Sequence, residues 1–258
     1  MIRVAVKIAY LGEHFHGSQV QPGCRTVEGD ILSDLKIITK MHSEEIDLKL
    51  ASRTDRGVNA IGNVAVFNSN IDDLYILQRA LNAVSKDIFY RGAAIVDKDF
   101  NPRFAELRKY RYILCLGALD VEAMKACAKL FEGEHDFTRF CRPDGKPATI
   151  RLDSLEVKVE DDKVCLDFTA RYYLWNMVRR IVAAIESVGW GGSSLSDVQD
   201  ALDGKGITFG LARPDALTLL EVVYKNIEFV DSSSDMFDKR LEEEIFKDCL
   251  RDMFFTSL

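Results

Sequence analysis

Apolar residues alternate with others along 2–10, where Ile2, Val4, Val6, Ile8 and Tyr10 share one parity. Alternation is the period of a half-buried strand. A loop containing Gly and His follows. From Thr26 the period changes: Val27, Ile31, Leu35 and Ile38 are spaced by four, four and three. That spacing predicts a helix with one apolar face and Thr26 as its N-cap. Strands are expected at 46–51 and 63–68. A second helix is expected after Asn70, carrying Leu74, Leu77, Leu81 and Val84, and then a strand at 88–97. The order strand, helix, strand, strand, helix, strand is the split βαβ of ferredoxin-like domains.

The second half repeats this order. Lys109 to Leu116 reads as a strand, with Tyr110, Tyr112 and Leu114 on one face. Asp120 caps a helix carrying Met124, Cys127 and Phe131, ended by Gly133. Residues 151–159 and 163–169 form a hairpin across Asp161-Asp162. Leu174, Val178, Ile181, Ile185 and Val188 make a helical stripe stopping at Gly189, and 218–229 is a strongly apolar last strand. The expected class is α+β: two tandem ferredoxin-like (βαββαβ) units forming one continuous antiparallel sheet, with the helices on one face. The units span 1–105 and 106–230. Residues 231–258 read as an acidic helical extension, from Ser234 as cap through Phe237, Leu241, Ile245 and Cys249.

Composition adds limits. The chain has 258 residues, 47% hydrophobic and 29% charged, which is globular rather than disordered. No apolar run approaches the ~20 residues of a membrane span. The start carries Arg3 and Lys7 where a signal peptide would be apolar, so a cytoplasmic protein is expected. Six scattered cysteines without a C-x-x-C pair read as reduced thiols. His14 and His16 flank Phe15, but no further ligand stands at zinc spacing, so no metal is expected.

The net charge of −7 is unevenly spread. From Asp231 onward eight acids face four bases, so more than half of that charge sits in the extension. In the remainder, basic residues group at Arg103, Arg108, Lys109 and Arg111, at Arg139, Arg142, Lys146 and Arg151, and at Arg171, Arg179 and Arg180. Such groups are either solvated surface or contacts for phosphate.

The segment Ser52-Arg53-Thr54-Asp55-Arg56-Gly57-Val58-Asn59-Ala60 lies between two expected strands, where functional side chains concentrate. Asp55 stands between two arginines whose field favours its ionised form. An ionised carboxylate is a poor general acid but a competent nucleophile or electrostatic stabiliser. On pattern alone the loop is either that or a salt-bridged turn.

The run Arg53-Thr54-Asp55-Arg56-Gly57-Val58-Asn59-Ala60 resembles the G-R-T-D-x-G-V-H-A signature of the TruA family of tRNA pseudouridine synthases. Further motifs follow in order: Tyr10 with Phe15-His16-Gly17 and Gln19; Thr26-Val27-Glu28; Phe100-Asn101-Pro102-Arg103-Phe104; Lys109-Tyr110-Arg111-Tyr112; Gly133 with His135-Asp136-Phe137; and Met177-Val178-Arg179 with Ile181-Val182. The resemblance spans nearly the whole chain. Three positions depart from it. Asn59 replaces the usual His, Ser52 replaces the usual Gly, and the Trp that follows the opening Gly is absent.

The resemblance implies isomerisation of uridine to pseudouridine in the anticodon stem-loop of tRNA, at positions 38–40, by a homodimer without cofactor or metal. It implies Asp55 as the catalytic carboxylate and Arg179 as the partner that keeps it anionic. It also implies Tyr110 as a ring that stacks on the extruded base, and Arg53 as the side chain that fills the gap left by the flipped nucleotide. An RNA-binding module without catalysis is a competing reading. Gly62-Asn63-Val64-Ala65-Val66-Phe67 lacks the aromatic signature of RNA-recognition motifs. A metabolic enzyme using Asp55 on a small substrate would need a phosphate-cradling Gly-rich loop or metal ligands, and neither is present.

Overall fold

The computed structural model describes residues 1–145, 147–231 and Glu242. The expected helix of the acidic extension, and Lys146, lie outside the described residues.

The first half runs β1 (Ile2–Tyr10), α1 (Val27–Thr39), α2 (Ser43–Ile46), β2 (Lys49–Leu50), β3 (Asn59–Ser69), α3 (Leu74–Val84) and β4 (Ile88–Val96). Thr26 caps α1 as its sequence predicts, its hydroxyl accepting from the Gly29 amide at 3.2 Å. The strand expected at 46–51 is instead a single helical turn followed by a two-residue strand. The Glu45 carboxylate takes the His42 amide at 2.8 Å, and Asp47 turns the chain in the left-handed region at φ 44°. The expected helix after Asn70 starts at Leu74, with Asp73 as its N-cap. Asp73 accepts from the amides of Tyr75 and Ile76, while Asn70 donates to the Thr39 carbonyl and closes the far end of α1.

The second half runs β5 (Leu107–Cys115), α4 (Val121–Leu130), β6 (Gly133–Asp136), β7 (Thr149–Glu160), β8 (Lys163–Ala170), α5 (Met177–Gly189), α6 (Leu195–Leu202), β9 (Leu217–Val223) and β10 (Val230–Asp231). Asp120 caps α4 through the Ala123 amide at 2.9 Å, and Asp161 turns the β7–β8 hairpin at φ 54°. Gly133 opens β6 instead of ending α4, and α6 is an element the periodicity missed.

All these strands join one sheet in the order β10-β4-β1-β3-β9-β5-β8-β7-β6, with β2 paired to β3. With the short strands β6 and β10 set aside, each half repeats the spatial order fourth, first, third, second. The sheet is not antiparallel throughout. At the seam between the halves β3 and β9 run parallel, through Asn59↔Thr218 and Ala60↔Leu219. The seam is short because β2 occupies the neighbouring stretch of β3, at Ala65 and Val66. It is close because residue 62 is glycine: a Cβ there would stand 2.3 Å from the Leu220 carbonyl oxygen. The apolar stretch 218–229 is likewise not one strand. β9 ends at Val223, the chain turns through Asn226 at φ 62°, and β10 pairs with Gly92 and Ala93 of β4.

Candidate active site

The 51–58 loop joins β2 to β3 and alternates in burial: Ser52 and Thr54 point inward, while Arg53 and Arg56 are exposed and Asp55 is half-buried between them. The inward side is tied at every residue that can be tied. The Thr54 amide donates to the Ser18 hydroxyl at 2.8 Å, the Ser18 amide donates to the Thr54 carbonyl at 3.0 Å, and the Thr54 hydroxyl bonds the Tyr10 hydroxyl at 2.9 Å. The Asn63 side chain, fully buried in β3, takes the Ser52 amide and donates to the Ser52 carbonyl and the Tyr10 hydroxyl. Burial pushes the Tyr10 hydroxyl's pKa above its ordinary value, so it remains a neutral phenol. The loop turns through the Val58 amide to the Asp55 carbonyl, with Gly57 at φ 84°. Gly12 lies against this turn so closely that a Cβ would meet the Gly57 carbonyl carbon at 2.3 Å.

The two departures from the family signature both take structural work. Asn59 accepts from the Gly12 amide and donates to the Asp215 carbonyl, both at 2.8 Å, which bolts the first loop to the second half. The Ser52 hydroxyl accepts from Arg108 Nε at 2.9 Å and is hydrogen-bonded to Tyr110.

Arg108 is buried to 6% exposure, and its guanidinium also donates to the carbonyls of Ala51, Arg103 and Arg171. These acceptors replace the water that burial removes, and the burial itself lowers the guanidinium pKa from its ordinary value. Tyr110 follows two residues on. It is only 7% exposed, and its ring meets Tyr173 edge-on at 5.1 Å. Burial first, then the charge of groups that include Asp55, pushes its hydroxyl well above the usual phenol range. Tyr110 is thus a neutral phenol with little of its surface exposed.

Arg179, in the first turn of α5, reaches Asp55: Nη1 lies 3.3 Å from Oδ2. Its Nε donates to the Ala212 carbonyl at 2.7 Å, which aims the guanidinium. Side-chain exposures of 12% for Arg179 and 30% for Asp55 make this a partly desolvated pair. Asp55 Oδ1 accepts no hydrogen bond among the described residues. One oxygen is therefore oriented by Arg179, an arrangement that a carboxylate nucleophile can use. Arg53 and Arg56, its sequence neighbours, make no ion pair with it.

The three basic groups disperse. Lys109 pairs with Glu221, Arg111 binds Asp167 through two hydrogen bonds of 2.7 and 2.8 Å, and Arg139 and Arg180 donate to loop carbonyls. Arg142 lies over the Trp175 ring at 4.0 Å. Arg53, Arg103 and Arg171 are exposed, with no side-chain partner among the described residues. Sequence reasoning missed Ser18 and Asn63, and read Arg108 only as one cation of a cluster. Asn63 leaves one signal, an amide in front of the apolar run 64–67. Among the described residues no group of three or more His, Cys, Asp or Glu is placed to hold a metal, and no helix is long and apolar enough to cross a membrane.

Comparison with known proteins agrees with this geometry. Residues 127–225 match the family model described as tRNA pseudouridine synthase. The chain is 41% identical over 248 residues to the tRNA pseudouridine synthase A of Pyrococcus abyssi, covering 94% of this chain and 93% of that one. It is 42% identical to the protein of the same name from Pyrococcus horikoshii, with the same coverage. The Methanosarcina mazei protein is 37% identical over 74% of this chain and 72% of its own. A solved chain from a Cbf5-Nop10-Gar1 complex aligns at 14% identity and TM-score 0.36, covering 71% of this chain and 45% of that one, too distant a likeness to assign a fold. At such identity over nearly its whole length, the chain belongs to the tRNA pseudouridine synthase A family.

Proposed function

We propose that this protein isomerises uridine to pseudouridine in the anticodon stem-loop of tRNA, at positions 38–40, with Asp55 as the catalytic carboxylate. The observation that carries the reading is the Asp55–Arg179 pair, which joins two signature motifs 124 residues apart across the two halves. In the reaction the bond from uracil N1 to the sugar breaks. The base turns, a bond forms from C5 to the same sugar carbon, and the proton lost from C5 is balanced by one gained at N1. No redox equivalent is consumed. Arg179 keeps Asp55 oriented throughout. Tyr110, a neutral phenol, stacks on the extruded base. Arg53, unpartnered and exposed, fills the space that base vacates, at a flipping cost of a few kcal/mol.

The matching strand orders support reading 1–105 and 106–230 as tandem ferredoxin-like units, with 231–258 as an appended acidic segment. We read the active species as a cytoplasmic homodimer. Tritium release from tRNA labelled at uridine C5 tests the reaction. Wild-type protein releases tritium, and Asp55→Asn slows turnover at least about a thousand-fold while still binding tRNA. Turnover by Asp55→Asn at the wild-type rate overturns the assignment.

A further inference from the structure

Two exposed rings stand out on loops that the buried Arg108 guanidinium ties together. Phe104 is 75% exposed and Tyr172 is 49% exposed. Phe104 follows Arg103, whose carbonyl is held by Arg108 Nη2. Tyr172 follows Arg171, whose carbonyl is held by Nη1 of the same guanidinium. The same group donates to the Ala51 carbonyl at 3.0 Å and the Ser52 hydroxyl at 2.9 Å, at the root of the Asp55 loop. Asp55 lies three residue steps beyond Ser52, a chain length of at most about 11 Å.

Neither ring sits on a loose end. The Arg103 and Phe104 amides donate to the Asn101 side chain and carbonyl, and the Pro102 carbonyl accepts from the Tyr224 hydroxyl at 2.5 Å. Ala105, the next residue, is buried. On the other loop the Tyr173 hydroxyl donates to the Arg108 carbonyl at 3.3 Å. A large ring held in water on a fixed turn forgoes burial its neighbours achieve. Each ring also has an exposed arginine immediately before it, with no side-chain partner among the described residues. Aromatic faces paired with free cations fit nucleotides: the ring stacks on the base and the arginine meets the phosphate.

We propose that Phe104 and Tyr172 form a stacking site for unpaired bases next to the target uridine. The proposal rests on the RNA-modifying reading and deepens it. The ligand class is a single-stranded or loop nucleotide, because a base inside a duplex has both faces covered by its neighbours. Arg108 is then the residue that fixes this site relative to Asp55.

The test compares two RNA probes by fluorescence anisotropy: a hairpin with an open seven-nucleotide loop, and a fully paired duplex with the same stem. The proteins are wild type, Phe104→Ala, Tyr172→Ala, Phe104→Leu and Phe104→Tyr, each checked for native circular dichroism and for sedimentation. Each alanine variant is expected to weaken hairpin binding by roughly 5- to 100-fold and leave duplex binding unchanged. Phe104→Leu keeps an apolar side chain without a π face and is expected to lose as much, while Phe104→Tyr retains binding. Wild-type hairpin affinity in both alanine variants, or equal loss on both probes, overturns the proposal. A shift of the variants to a smaller species in sedimentation, with affinity following it, assigns the surface to a second copy of the chain and overturns it too. Absence of tritium release from wild-type protein would sink the synthase reading alone, since hairpin against duplex discrimination is read without turnover.

Discussion

The two halves of the sheet have the same strand order and different interiors. In the first half the buried set includes Ser18, Thr54, Asn63, Gln78, Asn82 and Asp34, set among Val4, Val6, Ile8 and Val66. In the second half Phe131, Phe137, Phe140 and Phe209 pack ring against ring, with centroids 5.0 Å apart for Phe131–Phe140 and 5.7 Å for Phe140–Phe209. Arg108 is the one buried polar or charged side chain found after residue 105 among the described residues, and it points back into Ala51 and Ser52. The difference teaches where precision is needed. A buried hydrogen bond is directional, and a misplaced partner leaves a desolvated group unpaired. An apolar core accepts changes of shape if its volume is kept. The half that carries Asp55 is held by directional bonds, and the half that carries Arg179 is held by volume.

The strongest way to break this comparison is Asn63→Ala. It strands the Ser52 amide and carbonyl and loosens Tyr10, so we expect a loss of about 2–4 kcal/mol in urea unfolding. Turnover per folded molecule should fall at least about tenfold, because the root of the Asp55 loop is released. An unchanged kcat in folded Asn63→Ala would mean the polar interior supports stability only. Next, Arg179→Ala removes the second half's ion pair with the carboxylate. Its stability should change by less than about 1 kcal/mol, while single-turnover rates should drop roughly a hundred-fold. If tRNA affinity falls and the single-turnover rate does not, Arg179 is a phosphate ligand. Phe140→Leu sharpens the contrast from the other side. It should cost about 1–2 kcal/mol and leave kcat per folded molecule unchanged.

The smallest effect concerns pH. The two-fold hydrogen bond from Arg111 lowers the Asp167 carboxyl below its ordinary value. A carboxylate lowered in the folded state adds stability above its unfolded pKa, near 3.9, and loses it as pH falls through the folded value. Asp167→Asn should therefore cost less than about 1 kcal/mol at pH 7, a deficit that fades below about pH 4 in acid unfolding.

What could be read in the sequence were features with local signatures. The Thr26 and Asp120 caps, the Asp161 hairpin turn and the Asp55 loop each combine a residue type with a spacing. α6 had such a signature too, in the Ser194 hydroxyl and Asp197 ahead of Val198, Ala201 and Leu202 on one face, but its stripe runs over only eight residues. The strand expected at 218–229 failed because apolar character persists through a turn, at Ile227 and Phe229, where the side chains still pack on the core. The site's inner scaffold was invisible for a different reason. Ser52, Asn63 and Arg108 matter through partners as far as 63 residues away, and no window of sequence contains both ends.

The return of β10 to β4 has a consequence for how the molecule is made. A chain emerging from the ribosome presents its first half long before its last strand. Until Val230 and Asp231 arrive, Gly92 and Ala93 on β4 are an unpaired sheet edge, open to another nascent chain. The seam partner of β3 is equally late, since β9 begins at Leu217. The half that carries Asp55 is thus made first and closed last, and its two open edges are sealed within fifteen residues of each other, from Leu217 to Asp231.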